Sequence, residues 1–300
     1  MVNKKILILL AAAIALVIIG CSHNNLANNI IRPERDGLDA ASPPHNFYLP
    51  LAWGGNPPDP RYVAWLAPQA ELASVGLKPY NTIVSFYGIN SCPDCETISI
   101  SLYTNCVVVS AWAGEHPGHT FIIGDEPDQL QWSAAAYRAW YDDCVLKIKL
   151  ADHTANVSLA GIAQPNSVYN PDGHSLDYLD AVLGADTEPL YTDYLRVHAF
   201  PPQDGGEIDG WISYLEVWLD WRDENMPGTP IVLGTFGYPS GAENETIRLR
   251  ALEMLDWLED SEFIGWCWWE WGPRTGQTNE LFKNSALMPM GEVYWGRSTD

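Results

Sequence analysis

Basic residues are scarce in this chain: 16 Lys and Arg stand against 38 Asp and Glu in 300 residues, a formal charge of -22. So acidic a surface disfavours nucleic acid and anionic lipid headgroups as partners and is indifferent to neutral sugars. A phosphate-binding glycine loop is also missing, and no cofactor is indicated. Ser240, in Tyr238-Pro239-Ser240-Gly241, lacks the glycine spacing of a nucleophile elbow. His45, His116, His119, His153, His174 and His198 are scattered over loops, and His116-x-x-His119 has no helical glutamate beside it, so no metal site is expected. Cys92-Pro93-Asp94-Cys95 has no second Cys-x-x-Cys to complete a zinc site.

What is present begins with a leader. Lys4-Lys5 precede an unbroken apolar run from Ile6 to Gly20, the charged and apolar regions of a secretory signal, too short for a comfortable membrane span. The run ends Ile18-Ile19-Gly20-Cys21, which resembles the lipobox of bacterial lipoproteins. That resemblance implies a signal peptide over residues 1–20 and a lipid-anchored Cys21, with the rest of the chain facing outward in the cell envelope. Losing the leader removes two lysines and no acid, taking the charge to -24. Residues 21–42 are polar and Asn-rich, as suits a tether. The remainder, 43–300, is about 255 residues, the usual size of one α/β barrel. Nothing requires a second domain, and a monomer is expected, held to the membrane through its lipid only.

Of six cysteines, five remain if Cys21 is lipidated, so they cannot all pair. Cys92, Cys95 and Cys106 share one loop-like stretch, where an exported protein permits a local disulfide. Cys144 and Cys267 lie in a helical and a strand pattern and are expected as buried thiols.

Strand-like runs alternate with helical patterns, the signature of βα units and a parallel sheet. The candidate strands are Phe47–Trp53, Thr82–Gly88, Thr120–Gly124, Val157–Ala163, Tyr194–Phe200, Pro230–Phe236 and Phe263–Trp269. An eighth is expected between Asn90 and Val109. Ser133 is positioned to cap a helix through Ala136, Trp140, Cys144 and Ile148, and Asp209 to start one carrying Ile212, Leu215, Trp218 and Leu219. From Glu243 to Glu259, Ile247, Leu249, Leu252, Leu255 and Leu258 form a core-facing stripe.

The segment that bears chemistry is Phe121-Ile122-Ile123-Gly124-Asp125-Glu126-Pro127-Asp128. An apolar run stops at a carboxylate followed by proline, leaving Glu126 at the exit of a buried strand, where a parallel barrel places its active site. Since strand side chains alternate, Asp125 and Glu126 are not expected to face the barrel together. Together with Arg196-Val197-His198-Ala199-Phe200, Pro230-Ile231-Val232-Leu233-Gly234-Thr235-Phe236-Gly237-Tyr238 and Trp266-Cys267-Trp268-Trp269-Glu270-Trp271, it resembles a glycoside hydrolase barrel. The clan in question places its acid/base glutamate after strand four and its nucleophile glutamate after strand seven.

The resemblance implies a single (β/α)8 TIM barrel with Glu126 as general acid. Two positions depart from it. Asp125 stands where the clan has an asparagine that meets the sugar 2-hydroxyl, and Thr235 stands in the nucleophile's place. Threonine cannot supply the charge that forms a glycosyl-enzyme ester, so the retaining two-glutamate mechanism is not supported. Three readings remain. In one, Glu270 replaces the lost carboxylate from strand eight and activates a water. In another, the barrel binds carbohydrate without cleaving it, through His198, Tyr238, Trp268, Trp271 and Trp53. In the last, the fold is inherited and its cleft idle.

Overall fold

The structure is a computed structural model, and it describes residues 62–65, 82–86, 95–163, 175–202, 206–237, 245–269, 282–283, 286–287 and 289–297. All of these fall within the unit Pro44–Asp300. Eight parallel strands form one sheet: β1 (Tyr62–Trp65), β2 (Thr82–Ser85), β3 (Thr97–Ile100), β4 (Thr120–Ile123), β5 (Asn156–Leu159), β6 (Leu195–His198), β7 (Ile231–Phe236) and β8 (Phe263–Trp268). Their order is β5-β4-β3-β2-β1-β8-β7-β6. Parallel bridges Ser158 to Tyr194 and Ile162 to Val197 join the two ends, so the sheet closes into a barrel.

Helices follow β3 to β8 in turn: α1 (Cys106–Glu115), α2 (Ala134–Ala151), α3 (Ser175–Gly184), α4 (Asp209–Asn225), α5 (Glu245–Asp260) and α6 (Pro289–Arg297). A two-stranded ribbon, β9 (Phe282–Lys283) with β10 (Ala286–Leu287), precedes α6. Ser133 caps α2, its Oγ accepting from the Ala136 amide at 3.2 Å, and α4 begins at Asp209, both as the sequence predicts. Among the described residues no helix is long and apolar enough to cross a membrane.

Period-two alternation sorts the strand side chains. Ile98, Ile100, Phe121, Ile123, Val157 and Leu159 pack outward with helical residues such as Tyr141, Ile148 and Leu215 in one continuous core. Their neighbours point into the barrel, where Ile83, Ile122 and Cys267 form a separate small cluster against Trp269. The interior is otherwise small and polar, with Ser99, Ser158, Arg196 and His198 all buried.

Four expectations need correction. The strand that pairs with both β2 and β8 is Tyr62–Trp65, which is not among the candidate strands, while the candidate Phe47–Trp53 lies outside the described residues. The four residues of β1 follow the proline-rich sequence Pro57-Pro58-Asp59-Pro60 and are too few to show a period. Cys106 is bonded to Cys144 rather than within its own loop, because α1 packs on α2 and brings the two Cα atoms to 4.9 Å. Cys144 is therefore not a free thiol; Cys95 is also disulfide-bonded, and Cys267 is a buried free thiol as expected. Leu249 is exposed, since Ala251 and Met254, not Leu249, share the buried stripe of α5 with Ile247, Leu255 and Leu258. The eighth strand does lie between Asn90 and Val109, as β3.

Candidate active site

The site is built at the C-terminal ends of β4, β6, β7 and β8. After Ile123 the chain leaves strand geometry: Gly124 has φ 95° and Glu126 φ 40°. The left-handed conformation is readily open to glycine and costs a glutamate about 1–2 kcal/mol. It is held by the Glu126 amide, which donates to Gly161 O at 3.0 Å, and by the Glu126 carbonyl, which accepts from Gln129 and Leu130 at 3.1 and 3.2 Å. Proline at 127 then forbids a further strand bond.

This bend places the Glu126 carboxyl on His198. Glu126 Oε1 lies 2.8 Å from His198 Nδ1, with Glu126 26% and His198 4% exposed. The far nitrogen, Nε2, is buried without a hydrogen-bond partner among the described residues. A lone pair costs less there than an orphaned N–H, so Nδ1 carries the proton and donates it to Glu126. The imidazole lies directly against the Gly161 backbone, because a Cβ at that position would overlap Nε2, Cδ2 and Cε1. His198 is therefore a holder of Glu126, closed off from solvent, rather than a direct sugar contact.

Asp125 precedes Glu126 in the same bend. Its carboxyl interacts through space with His198, Glu126 and Arg196. Neither residue is in β4, which ends at Ile123, so strict strand alternation does not govern the pair. Burial raises the Asp125 carboxyl above the ordinary range; His198 pulls it down, Glu126 pushes it up and Arg196 pulls it down. Burial likewise raises Asp128, whose Oδ1 accepts from the Ala163 amide at 3.2 Å and ties the β4–α2 loop to the exit of β5.

Arg196 was not singled out by sequence reasoning. It lies two residues before His198 on the same inward face of β6, and its Nη2 donates to Gly234 O at 3.0 Å. A Cβ on Gly234 would stand 3.0 Å from both the guanidinium and His198 Cδ2, so that glycine makes room for the two side chains. Burial lowers the Arg196 pKa, with Cys267 and Asp125 acting the other way. An arginine in a barrel strand, alternating with a histidine, is the signal that marks it.

Strand seven offers no carboxylate among its described residues. Thr235 is 2% exposed and its hydroxyl donates to Gly234 O at 2.7 Å, so it is turned into the wall rather than toward a ligand. Trp268 is 1% exposed and packs outward on Phe236 and Tyr294, with ring centroids at 5.2 and 5.4 Å. The tryptophan that faces the barrel mouth is Trp269, on the same parity as Cys267 and half-buried against Ile83 and Ile122. Its amide donates to Phe236 O at 2.8 Å, binding the exits of β7 and β8 together. Glu270, Tyr238, Trp271, Trp53 and Cys21 lie outside the described residues.

Among the described residues no cluster of His, Cys, Asp and Glu could hold a metal. The Nδ1 atoms of His116 and His119 donate to the carbonyls of Trp112 and His116, at 2.9 and 2.8 Å, and both rings pack on Trp112. The arrangement that remains is one partly exposed carboxyl, Glu126, oriented by a buried histidine, with a second, half-buried carboxyl, Asp125, next to it in the chain. Chemically that is a proton donor or acceptor at the mouth of a barrel.

No protein-family model matches the sequence, and no curated protein matches it. Solved structures do. A GH128 (subgroup III) curdlan-specific exo-β-1,3-glucanase from Blastomyces gilchristii, in complex with glucose, superposes with a TM-score of 0.59 at 17% identity, covering 79% of this chain and 99% of that one. A GH128 (subgroup II) endo-β-1,3-glucanase from Sorangium cellulosum gives 0.55 at 15%, covering 79% and 96%. Endoglucanase Cel5A from the hyperthermophilic Thermotoga maritima gives 0.50 at 14%, covering 71% and 75%. At such identities the shared property is the fold, and the chain has a glycoside hydrolase-like (β/α)8 barrel.

Proposed function

We propose that this barrel is an exported, lipid-anchored glycoside hydrolase-like protein that takes a poly- or oligosaccharide at its C-terminal rim, with Glu126 as the general acid. The observation that carries the proposal is the left-handed backbone of Glu126 locked onto His198. Strained non-glycine residues persist where their surroundings over-determine them, and they concentrate at active sites. Here four contacts, two through the backbone carbonyl, hold one carboxyl in place.

Glu126 would donate its proton to the leaving glycosidic oxygen. Because Thr235 cannot form a glycosyl ester, the sugar carbon would be attacked by water in a single displacement. Glu270 follows Trp269 at the exit of β8 and is the candidate base for that water, which needs a carboxyl separation of about 6.5–9.5 Å. A single displacement inverts the anomeric centre. The leader and Cys21 support export and anchoring, and the acidic surface suits a neutral glycan. A β-glucan is the first substrate to try, since barrels of this fold include β-1,3-glucanases.

Thr235 favours a second reading, in which the rim binds sugar and does not cleave it. Proton NMR of the protein with β-1,3-gluco-oligosaccharides separates the two. The hydrolase reading predicts release of the α-anomer first; binding shifts without product select the second reading, and the β-anomer first would contradict the single displacement.

A further inference from the structure

Three non-glycine residues adopt positive φ among those described: Tyr103 (69°), Glu126 (40°) and Gln131 (58°). All three lie on the two neighbouring loops after β3 and β4, at the rim that carries Glu126. Tyr103 is 77% exposed, the most exposed of the large apolar side chains among the described residues, and Leu130 on the other loop is 59% exposed. An exposed tyrosine in a left-handed turn is disfavoured twice, by its Cβ and by its wetted ring. Glycine or asparagine would suit the position better if the turn were all that mattered.

The ring is nevertheless built in. Tyr103 packs edge-on against Trp132, with centroids 4.7 Å apart and planes at 66°, and Trp132 packs against Trp140 at 5.7 Å and 69°. The Trp140 indole N–H donates to Thr104 O at 3.3 Å, while the Thr104 amide donates to Ser101 O at 3.1 Å, closing the turn that presents Tyr103. The same turn that begins at Glu126 delivers Leu130 and Trp132, whose amides donate to Glu126 O and Pro127 O. Two indoles thus prop one phenol ring on the flank of the Glu126 site.

We propose that Tyr103 and Leu130, backed by Trp132 and Trp140, form a stacking subsite for a sugar ring of a glycan that runs across the rim past Glu126. The inference rests on the carbohydrate reading above and adds the direction of the chain, toward the β3–β4 side. A pyranose offers an apolar C–H face to the phenol plane and hydroxyls to its O–H, a match that neither a charged nor a purely aliphatic ligand makes. The formal charge of -22 argues against a nucleic acid or an anionic lipid in its place.

The test uses the full chain carrying Glu126→Gln, to suppress turnover, with short and long β-1,3-gluco-oligosaccharides in calorimetry. Tyr103→Gly removes the ring and suits a φ of 69°, so the fold is kept. It is expected to weaken binding of the long oligosaccharide about tenfold, with the short one unchanged, and Tyr103→Phe to restore affinity within about twofold. Equal affinity of Tyr103→Gly and its parent for the long oligosaccharide overturns the subsite and leaves the carbohydrate reading standing. If the parent binds no glucan, both fall. Self-association that Tyr103→Gly abolishes, without glycan binding, would assign the patch to a second copy of the chain instead.

Discussion

Gly161 acts on Glu126 twice, directly through its carbonyl, which accepts from the Glu126 amide, and indirectly through His198. Its missing side chain is the space filled by the His198 imidazole, and that ring in turn holds the carboxyl. Gly161→Ala is therefore expected to displace His198, cost about 1–3 kcal/mol in overpacking, and lower kcat as far as His198→Ala does. Denaturant melts and steady-state kinetics on the two variants check this; full activity in Gly161→Ala would show the pair to be dispensable. Asp125 gives a pH signature. Burial raises its folded pKa, so its neutral form is favoured in the fold, and the stability this brings below the ordinary carboxylate range is lost as pH rises through the raised value. Asp125→Asn should raise Tm by a few degrees at pH 7 and leave it unchanged near pH 3. An equal shift at both pH values would contradict the assignment.

At the scale of elements, the outer layer is pinned by the disulfide between α1 and α2. Closing a loop of this length, with a sequence separation of 38, contributes about 2–4 kcal/mol. The double variant Cys106→Ala, Cys144→Ala should lose that much in non-reducing denaturant melts while keeping its oligosaccharide affinity; a loss below about 0.5 kcal/mol would show the bond to be incidental. The pairing was not legible in the sequence, because it depends on one helix lying on another rather than on spacing. Strands β4 to β8 were legible because each joins an apolar run to a turn signal. Strand β3, Thr97-Ile98-Ser99-Ile100, was placed only to an interval: its serine serves the polar barrel interior, so it lacks a continuous apolar run. Trp268 and Trp269 show how parity decides a role. Adjacent tryptophans look alike as sugar platforms, and only the inward position of Cys267 tells that Trp269 faces the mouth.

For the whole molecule, barrel closure converts four segments far apart in the chain into one rim, and this is what the order of motifs foretold. Glu126 and His198 were each legible as strand-end residues, but their bond at 2.8 Å arises from the left-handed turn after Gly124, which no periodicity announces. The fold carries no guarantee of activity, and Thr235 buried in the wall of β7 removes the usual second carboxylate. On the proposed reading one carboxyl, Glu126, is the proton donor of the rim. The most direct measurement is single-turnover cleavage of a β-1,3-glucan oligosaccharide by the parent chain and by Glu126→Gln. With Glu126 as proton donor, the variant loses about 10²–10⁴-fold in rate while binding the oligosaccharide as before. Cleavage by Glu126→Gln at the parental rate would contradict it.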